Sequence, residues 1–150
     1  MNHYYGHRIR VLHWCTDQIM TDALAQMGLT ASQGRIMGYL AHYPQPPCAR
    51  DIAEAFQLSH PTVSGLLGRL EKKGFIKFLC DEQDRRSRRI YLLPKGLESV
   101  KRIEDTIMLN EQRMVQGFSG EEREQFMALL DRAISNMGGS PCQLCSMKED

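Results

Sequence analysis

The sequence predicts a mainly helical fold that contains one small β-hairpin. Apolar residues recur at spacings of three and four along most of the chain, a pattern typical of amphipathic helices. Two short β-prone runs, residues 75–80 and 88–93, flank a strongly polar segment near the middle. Glycines, prolines and Ser/Thr residues divide the chain into segments of helical length, so most of these segments are expected to be helices.

The N-terminal third predicts two helices. The first spans residues 3–27 and ends at Gly28, because glycine adopts a left-handed conformation at low cost. Its apolar positions are Ile9, Leu12, Ile19, Ala23 and Met27. Thr30 or Ser32 caps the second helix, since a side-chain hydroxyl accepts a hydrogen bond from the first free amides. That helix ends at the proline-rich turn that begins with Pro44.

The middle of the chain predicts two more helices and the hairpin. A short third helix covers residues 49–56. The fourth helix begins at Ser59 or His60, with Pro61 in the first turn, where a missing N–H costs nothing. Gly74 ends it, and the two β-prone runs follow as a hairpin with an exposed, charged tip.

The C-terminal third predicts two long helices and a tail. The fifth helix covers residues 94–115. Ser119 and Glu122 have the spacing of a capping box and begin the last helix, which ends at Met137. Residues 138–150 are expected to form a flexible tail.

The long helices suggest a dimer. We expect a single domain over residues 1–150, in which the helices at 3–28 and 94–137 exceed what the middle module, residues 30–93, can cover. Their apolar faces would remain partly exposed in a monomer, which favours a helical homodimer interface. The alternative is that these helices only pack together within one chain.

Composition limits the class of protein. A chain of 150 residues with 42% hydrophobic and 25% charged residues is typical of one soluble domain. No apolar run approaches the roughly 20 residues that cross a bilayer, so we expect no membrane contact. Five cysteines are too few and odd in number for a disulfide framework, which favours a cytoplasmic protein with reduced thiols.

The sequence lacks the common motifs of catalytic and cofactor-binding sites. It contains no phosphate-binding loop, dinucleotide-binding glycine pattern, His-Glu-x-x-His motif or nucleophile elbow. We therefore expect no enzymatic activity and no cofactor.

The charged residues are unevenly distributed along the chain. Residues 50–95 carry a net charge of +4, and residues 96–150 carry a net charge of −4. This asymmetry is consistent with a polyanionic partner on one surface, although solvated charged faces would give the same numbers.

The middle segment, read as two short helices, a tight turn and a hairpin, predicts a winged helix-turn-helix. A helix of this length fits the major groove of double-stranded DNA, and a hairpin that carries arginines reaches the minor groove. The predicted DNA-binding residues are His60, Thr62, Ser64, Gly65 and Arg69 on the fourth helix and Arg85, Arg86 and Arg88 on the hairpin. Further candidates for phosphate contacts are Lys72, Lys73 and Lys77.

Several segments in this order resemble the MarR (multiple antibiotic resistance regulator) family. They are Leu29-Thr30-Ala31-Ser32-Gln33, Ile52-Ala53, Leu58-Ser59-His60-Pro61-Thr62-Val63-Ser64, Leu70-Glu71-Lys72-Lys73-Gly74-Phe75-Ile76, Asp84-Arg85-Arg86, Ile90-Tyr91-Leu92 and Lys95-Gly96. The resemblance covers about residues 8–137. It implies a bacterial winged-helix homodimer that binds a pseudo-palindromic operator and represses transcription until a small molecule or an oxidant releases it.

The resemblance also assigns roles in the hairpin tip. Asp84 and Arg86 match the family's wing motif, in which the aspartate braces the loop and the arginine enters the minor groove. A carboxylate two residues away can orient a guanidinium, and a narrow groove favours the inserted cation. The chain departs from the family at Gly65 and Gly68, where larger polar residues are common, so we expect phosphate contacts to supply much of the affinity.

An effector site and thiol chemistry are the remaining candidates for sensing. The resemblance implies a pocket near the dimer helices, for which Trp14, Tyr39 and Tyr43 are candidate ligand-binding residues, with His13 and Met108 beside them. Such a pocket suits a small aromatic effector, although residues of these types more often belong to a core.

The cysteines leave three alternatives open for the tail. Cys15 does not match the spacing of the family's peroxide sensors and is expected to be buried. Cys142 and Cys145 form a Cys-x-x-Cys pair, which is half of a tetrahedral zinc site, a reversible disulfide or an idle pair. The alternative functions are therefore a thiol- or metal-based sensor, and a winged-helix module that binds proteins without reading DNA.

Overall fold

The computed structural model describes residues 4–80 and 88–140. Within these residues it contains six α-helices and one two-stranded sheet, and the predicted fold class is confirmed. In chain order the elements are α1 (Tyr5–Gln26), α2 (Ala31–His42), α3 (Ala49–Phe56), α4 (His60–Lys72), β1 (Ile76–Cys80), β2 (Arg88–Leu92), α5 (Pro94–Met114) and α6 (Gly120–Asn136). The chain divides after Asn110, within α5, into two compact units.

The helices begin where the sequence places their caps. Of the two candidates for α2, Thr30 is the cap, and its hydroxyl and the Gln33 side chain exchange hydrogen bonds with the opposite backbone amides. Ser59 caps α4 through the amide of Thr62. Ser119 begins α6 in the predicted capping box. Since each cap satisfies amides that have no partner inside the helix, these boundaries follow from local chemistry.

The predicted hairpin is an antiparallel pair with a register that joins Ile76 to Leu92 and Cys80 to Arg88. The turn before α3 also pairs with the free edge of β2, which the sequence did not predict. Cys48 forms a bridge with Arg89, and the amide of Ile90 donates to the Pro47 carbonyl at 2.9 Å. The base of the hairpin is therefore attached to the start of α3.

One hydrophobic core lies within the first unit. It contains side chains from α2, α3, α4 and the hairpin, together with the end of α1 and the first half of α5. The buried apolar residues are Leu24, Leu29, Ile36, Met37, Ile52, Ala53, Val63, Leu66, Leu67, Leu70, Phe75, Ile76, Ile90, Val100 and Ile103. This core holds α4 by one face, so the opposite face of that helix stays available for a ligand.

The long helices expose much of their apolar surface in the single chain. Ile9, Leu12 and Ile19 of the predicted apolar face of α1 are exposed, and Leu24 is the buried residue of that helix. No residue of α6 is buried. This agrees with the expectation that a monomer leaves these faces partly uncovered, whereas the dimer itself and the domain boundaries remain predictions. No helix in the described part of the chain has the length and apolar character needed to span a membrane.

Candidate nucleic-acid interface

The outer face of α4 carries the five residues predicted to contact DNA from this helix. His60, Thr62, Ser64, Gly65 and Arg69 are all exposed, whereas Val63, Leu66, Leu67 and Leu70 are buried beneath them. The Thr62 hydroxyl already lies 2.8 Å from the Ser59 hydroxyl in the helix cap. A hydroxyl has one donor and two acceptor positions, so Thr62 keeps capacity for a base edge or a phosphate.

Two glycines make the outer face of α4 flat. A Cβ atom added at Gly68 would meet nothing within 4 Å, and one added at Gly65 would meet the Arg69 guanidinium at 3.7 Å. Neither glycine has a positive φ. Packing and backbone conformation within the described residues therefore do not require glycine at these positions, although each costs the helix roughly 1 kcal/mol relative to alanine.

A cleft of about 430 Å³ opens between the start of α3, α4 and the hairpin. Its lining residues are Cys48, Ala49, Arg50, Ser64, Leu67, Gly68, Phe78 and Arg88. The Arg88 guanidinium lies 5.7 Å from the centre of the Phe78 ring, and the Arg50 side chain bonds to Glu54 at 2.9 Å. Two guanidinium groups beside the outer face of α4 give this cleft the chemistry to accept an anionic oxygen.

Sequence reasoning missed Arg50. Its position in the first turn of a short helix that precedes the recognition helix was the available signal. The acidic neighbours Asp51 and Glu54 gave that segment little net charge. Only the tertiary arrangement brings Arg50 into the same cleft as Arg88 and Ser64.

The arginines in and beside the hairpin differ in where they lie and in what they contact. Asp84, Arg85 and Arg86, on which the predicted wing contact depends, lie outside the described residues. Arg88 lines the cleft at the base of the hairpin. Arg89 instead donates to the Pro46 carbonyl at 3.3 Å and lies 3.9 Å from the Asp51 carboxylate, so it fastens the hairpin to α3.

The predicted phosphate-contacting lysines also differ in their surroundings. The Lys73 ammonium donates to the Gly28 carbonyl at 2.6 Å and to Gln33 Oε1 at 3.3 Å. Lys72 and Lys77 are exposed, and neither forms a side-chain hydrogen bond or ion pair in the part of the chain that the structure covers. The Lys73 ammonium is thus hydrogen-bonded to other residues of the chain, whereas the Lys72 ammonium has no such bond among the described residues.

The candidate effector residues lie in two places. The Tyr39 and Tyr43 rings are 4.9 Å apart between centroids, and Tyr39 contacts the edge of Phe56 at 5.4 Å. Burial, followed by a hydrogen bond with Tyr43, raises the pKa of Tyr39 to about 12. Trp14 is 62% exposed on α1 and has no ring contact among the described residues. The role of all three residues in ligand binding remains a prediction.

The prediction that Cys15 is buried is wrong, because the middle of α1 lies outside the core and leaves this thiol exposed. Cys48 and Cys80 lie on opposite sides of β2, with Cys48 paired to Arg89 and Cys80 to Arg88. Their Cα atoms are therefore two strand spacings apart, about 9.6 Å. A disulfide can join two cysteines only when their Cα atoms lie within roughly 7 Å of each other. The pair Cys142 and Cys145 lies outside the described residues, in which no cluster of three metal-ligating side chains occurs.

Comparison with known sequences shows similarity to transcriptional regulators. A sequence profile of the MarR family matches residues 27–87, which include α2 to β1. The chain is 28% identical over 123 residues to the HTH-type transcriptional regulator PecS of Dickeya dadantii (strain 3937), an alignment that covers 81% of this chain and 74% of PecS.

Solved structures extend the similarity to almost the whole chain. The crystal structure of the S. aureus MepR–DNA complex is 35% identical, covers 89% of this chain and 99% of that chain, and superposes with a TM-score of 0.78. S. aureus MepR bound to ethidium bromide is 34% identical, covers 90% of this chain and 97% of that chain, and gives a TM-score of 0.72.

Proposed function

The chain belongs to the MarR family of transcriptional regulators, and on that premise we propose that it represses transcription by binding a pseudo-palindromic operator as a homodimer. The observation that carries the proposal is the exposed outer face of α4 beside a cleft lined by Arg50 and Arg88. A flat polar face next to two guanidinium groups suits the base edges and phosphates of one groove. The solved DNA complex of MepR supports the same use of the fold.

In the proposed complex, α4 enters the major groove. Its 13 residues span about 20 Å, which suits a groove about 12 Å wide. Base contacts come from His60, Thr62 and Ser64, while Gly65 lets the backbone approach closely. Arg69 contacts the phosphates.

The hairpin supplies the second part of the interface. We assign the minor-groove contact to Arg86, held in place by Asp84 and supported by Arg85, as the resemblance implies. Arg88 and Arg50 then bind phosphates between the two grooves from the cleft. Since most of these contacts are to phosphates, the affinity should fall steeply as salt rises.

The homodimer is supported by the exposed apolar residues of α1, α5 and α6, which would otherwise remain in water. A two-fold dimer presents two copies of α4 and so matches an inverted repeat.

Members of the MarR family are transcriptional regulators, a class without enzymatic activity. Because the proposed partner is chromosomal DNA, and the family resemblance implies a bacterial source, we place the protein in the cytoplasm.

We further propose that a small aromatic effector releases the protein from DNA, with Trp14, Tyr39 and Tyr43 as candidate contacts. S. aureus MepR has been solved with ethidium bromide, a planar aromatic cation, and this supports an aromatic ligand for the present chain. The rings of Tyr39, Tyr43 and Phe56, which contact one another, give such a ligand an aromatic surface to pack against.

The test is selection of the purified, ligand-free, reduced protein against random double-stranded DNA at two salt concentrations. We expect an inverted repeat with half-sites about one helical turn apart, enriched less at high salt. A test variant in which Arg85 and Arg86 are replaced by alanine should show weaker enrichment of the same sequence. Selection of no sequence at either salt would contradict the proposal and favour a module for protein partners.

A further inference from the structure

We propose that Lys73 is a positioning residue of the DNA-binding surface, which sets the direction of α4 and does not bind a phosphate. The inference rests on the proposed function, because it concerns how that helix is presented to DNA. It concerns the α4 junction, which we define as Lys73, Gly74 and Phe75 with the residues that contact them: Gly28, Gln33, Lys95 and Gly96.

The Lys73 ammonium bridges the end of α4 to the turn between α1 and α2. It lies 2.6 Å from the Gly28 carbonyl oxygen and 3.3 Å from Gln33 Oε1, contacts that join residues 40 to 45 positions apart. Gly28 follows Met27, the C-cap of α1, and so lies next to the helix end where the dipole favours a cation. Hydrogen bonds from a charged donor are roughly twice as strong as neutral ones. Lys73 therefore fastens α4 to α1.

The acceptor on α2 is itself fixed. Gln33 is only 1% exposed, and its Oε1 also accepts the backbone amide of Thr30 at 3.1 Å as part of the α2 capping box. A buried side chain that completes a helix cap cannot follow a moving partner. The contact with Lys73 consequently restrains α4 rather than the reverse.

The other side of the junction is attached to α5. The Lys95 ammonium donates to the Lys73 carbonyl at 2.9 Å and lies 4.3 Å from the centre of the Phe75 ring. A Cβ atom at Gly96 would lie 2.3 Å from the Phe75 carbonyl oxygen, so α5 starts in direct contact with the junction. The end of α4 is thereby held between α1 and α5, the two helices of this unit that we propose to join the protomers.

Lys72 provides the contrast within the same helix. It follows Gly65 and Gly68 at spacings of seven and four, which places it on the outer face, whereas Lys73 lies about 100° further around the helix. Lys72 makes no side-chain hydrogen bond or ion pair in the described ranges. Two adjacent lysines of equal charge therefore have separable roles, with Lys72 as the phosphate contact.

The experiment compares Lys73→Met with the matched variant Lys72→Met in the full-length protein, on the DNA selected by the unaltered chain. Affinity is measured over a salt series and on operators whose half-sites are moved by one base pair. For Lys73→Met we expect about a tenfold loss of affinity, an unchanged salt slope and a broader tolerance of half-site spacing. For Lys72→Met we expect the slope to fall by about 0.9 for each protomer, with spacing preference retained.

Other outcomes would overturn the inference. A salt slope for Lys73→Met that falls as in Lys72→Met, with spacing preference intact, would make Lys73 a phosphate contact. A lower melting temperature with unchanged affinity and spacing would make its role purely structural. If Lys73→Met does not fold, Lys73→Gln removes the charge but keeps an N–H donor, and it should show the same pattern with a smaller loss of affinity. If the unaltered chain selects no DNA, the proposed function fails first, which distinguishes the two failures.

Discussion

Residues of the same type serve different purposes on and around α4. Lys72 is exposed and makes no side-chain hydrogen bond or ion pair among the residues that the structure describes, whereas Lys73 is bonded across the α4 junction. Gly68 faces open space, whereas Gly96 contacts the Phe75 carbonyl so closely that no side chain fits. These differences arise from what each position faces, and each leads to a measurable consequence for stability or DNA binding.

Replacement of Arg86 by alanine should reduce operator affinity by about 10- to 100-fold while the fold stays intact. The physical reason is the loss of a cation from the narrow minor groove, a contact of roughly 1–3 kcal/mol. Titration of labelled operator measures the affinity, and thermal unfolding checks the fold. Arg102→Ala on α5 removes the same charge outside α4 and the hairpin and should have little effect. Equal losses in both variants would contradict the wing assignment.

Alanine at Gly68 should raise the free energy of unfolding by up to about 1 kcal/mol, because it improves helix propensity and meets open space. The same variant should bind the operator more weakly if the glycine serves close approach to DNA. Alanine at Gly96 is the contrasting control and should destabilise the fold, since its Cβ would overlap the Phe75 carbonyl. Chemical denaturation and operator titration test both statements. A stabilised Gly68→Ala with unchanged affinity would remove the close-approach role.

At the scale of elements, side-chain contacts join helices that the sequence could only place in order. Tyr39 on α2 packs against Phe56 on α3, and the Arg35 guanidinium lies 5.4 Å from the centre of the same ring. The His42 imidazole lies 2.8 Å from the Glu104 carboxylate and so connects α2 with α5. The helix-turn-helix and α5 are therefore coupled through α2 as well as through the α4 junction.

The contact between α2 and α3 should become pH-dependent in alkaline solution. Folding raises the pKa of Tyr39 from 10.0 to about 12, mainly by burial, so the folded state favours the neutral phenol. Its contribution to stability is complete below pH 10 and is lost as the pH rises from 10 toward 12. Denaturation of the unaltered protein and of Tyr39→Phe over this interval should show a shallower decline in the variant. Identical declines would contradict the assignment, and Tyr91→Phe serves as the control.

At the scale of the molecule, the described residues expose two kinds of chemistry. The arginine-lined cleft and outer face of α4 suit a polyanion, whereas α1, α5 and α6 each expose apolar side chains, which we propose a second copy covers. A net charge of +1 for the chain conceals this separation, because the basic middle and the acidic C-terminal third nearly cancel. Steering toward DNA depends on the local charge of the surface rather than on this total.

The dimer can be tested with a charge on α6. Leu129 is 47% exposed, so Leu129→Glu should cost the single chain little stability but place a carboxylate in the proposed interface. Sedimentation should show a shift toward monomer, and operator affinity should fall with it. Arg123→Glu, at an exposed polar position of the same helix, is the control. A dimer that persists unchanged in Leu129→Glu would exclude this residue from the interface.

Local chemistry in the sequence was sufficient to predict the six helices and the two strands of the described residues. Caps such as Thr30, Ser59 and Ser119 and the glycines after the helices act within a few residues, so their effect does not depend on the rest of the fold. The exposed face of α4 followed from periodicity, because apolar positions at helical spacing define the buried side. The family followed from the order of short motifs along the chain.

Contacts between distant residues were decided only by the tertiary structure. The sequence contains no signal that Arg50 shares a cleft with Arg88, that Arg89 fastens the hairpin to α3, or that Lys73 reaches Gly28. It also suggested a buried Cys15, whereas α1 reaches the core only after that position. Periodicity shows which face of a helix is apolar, but not which neighbour meets each side chain. That choice depends on how the whole core packs, which is a property of all its residues together.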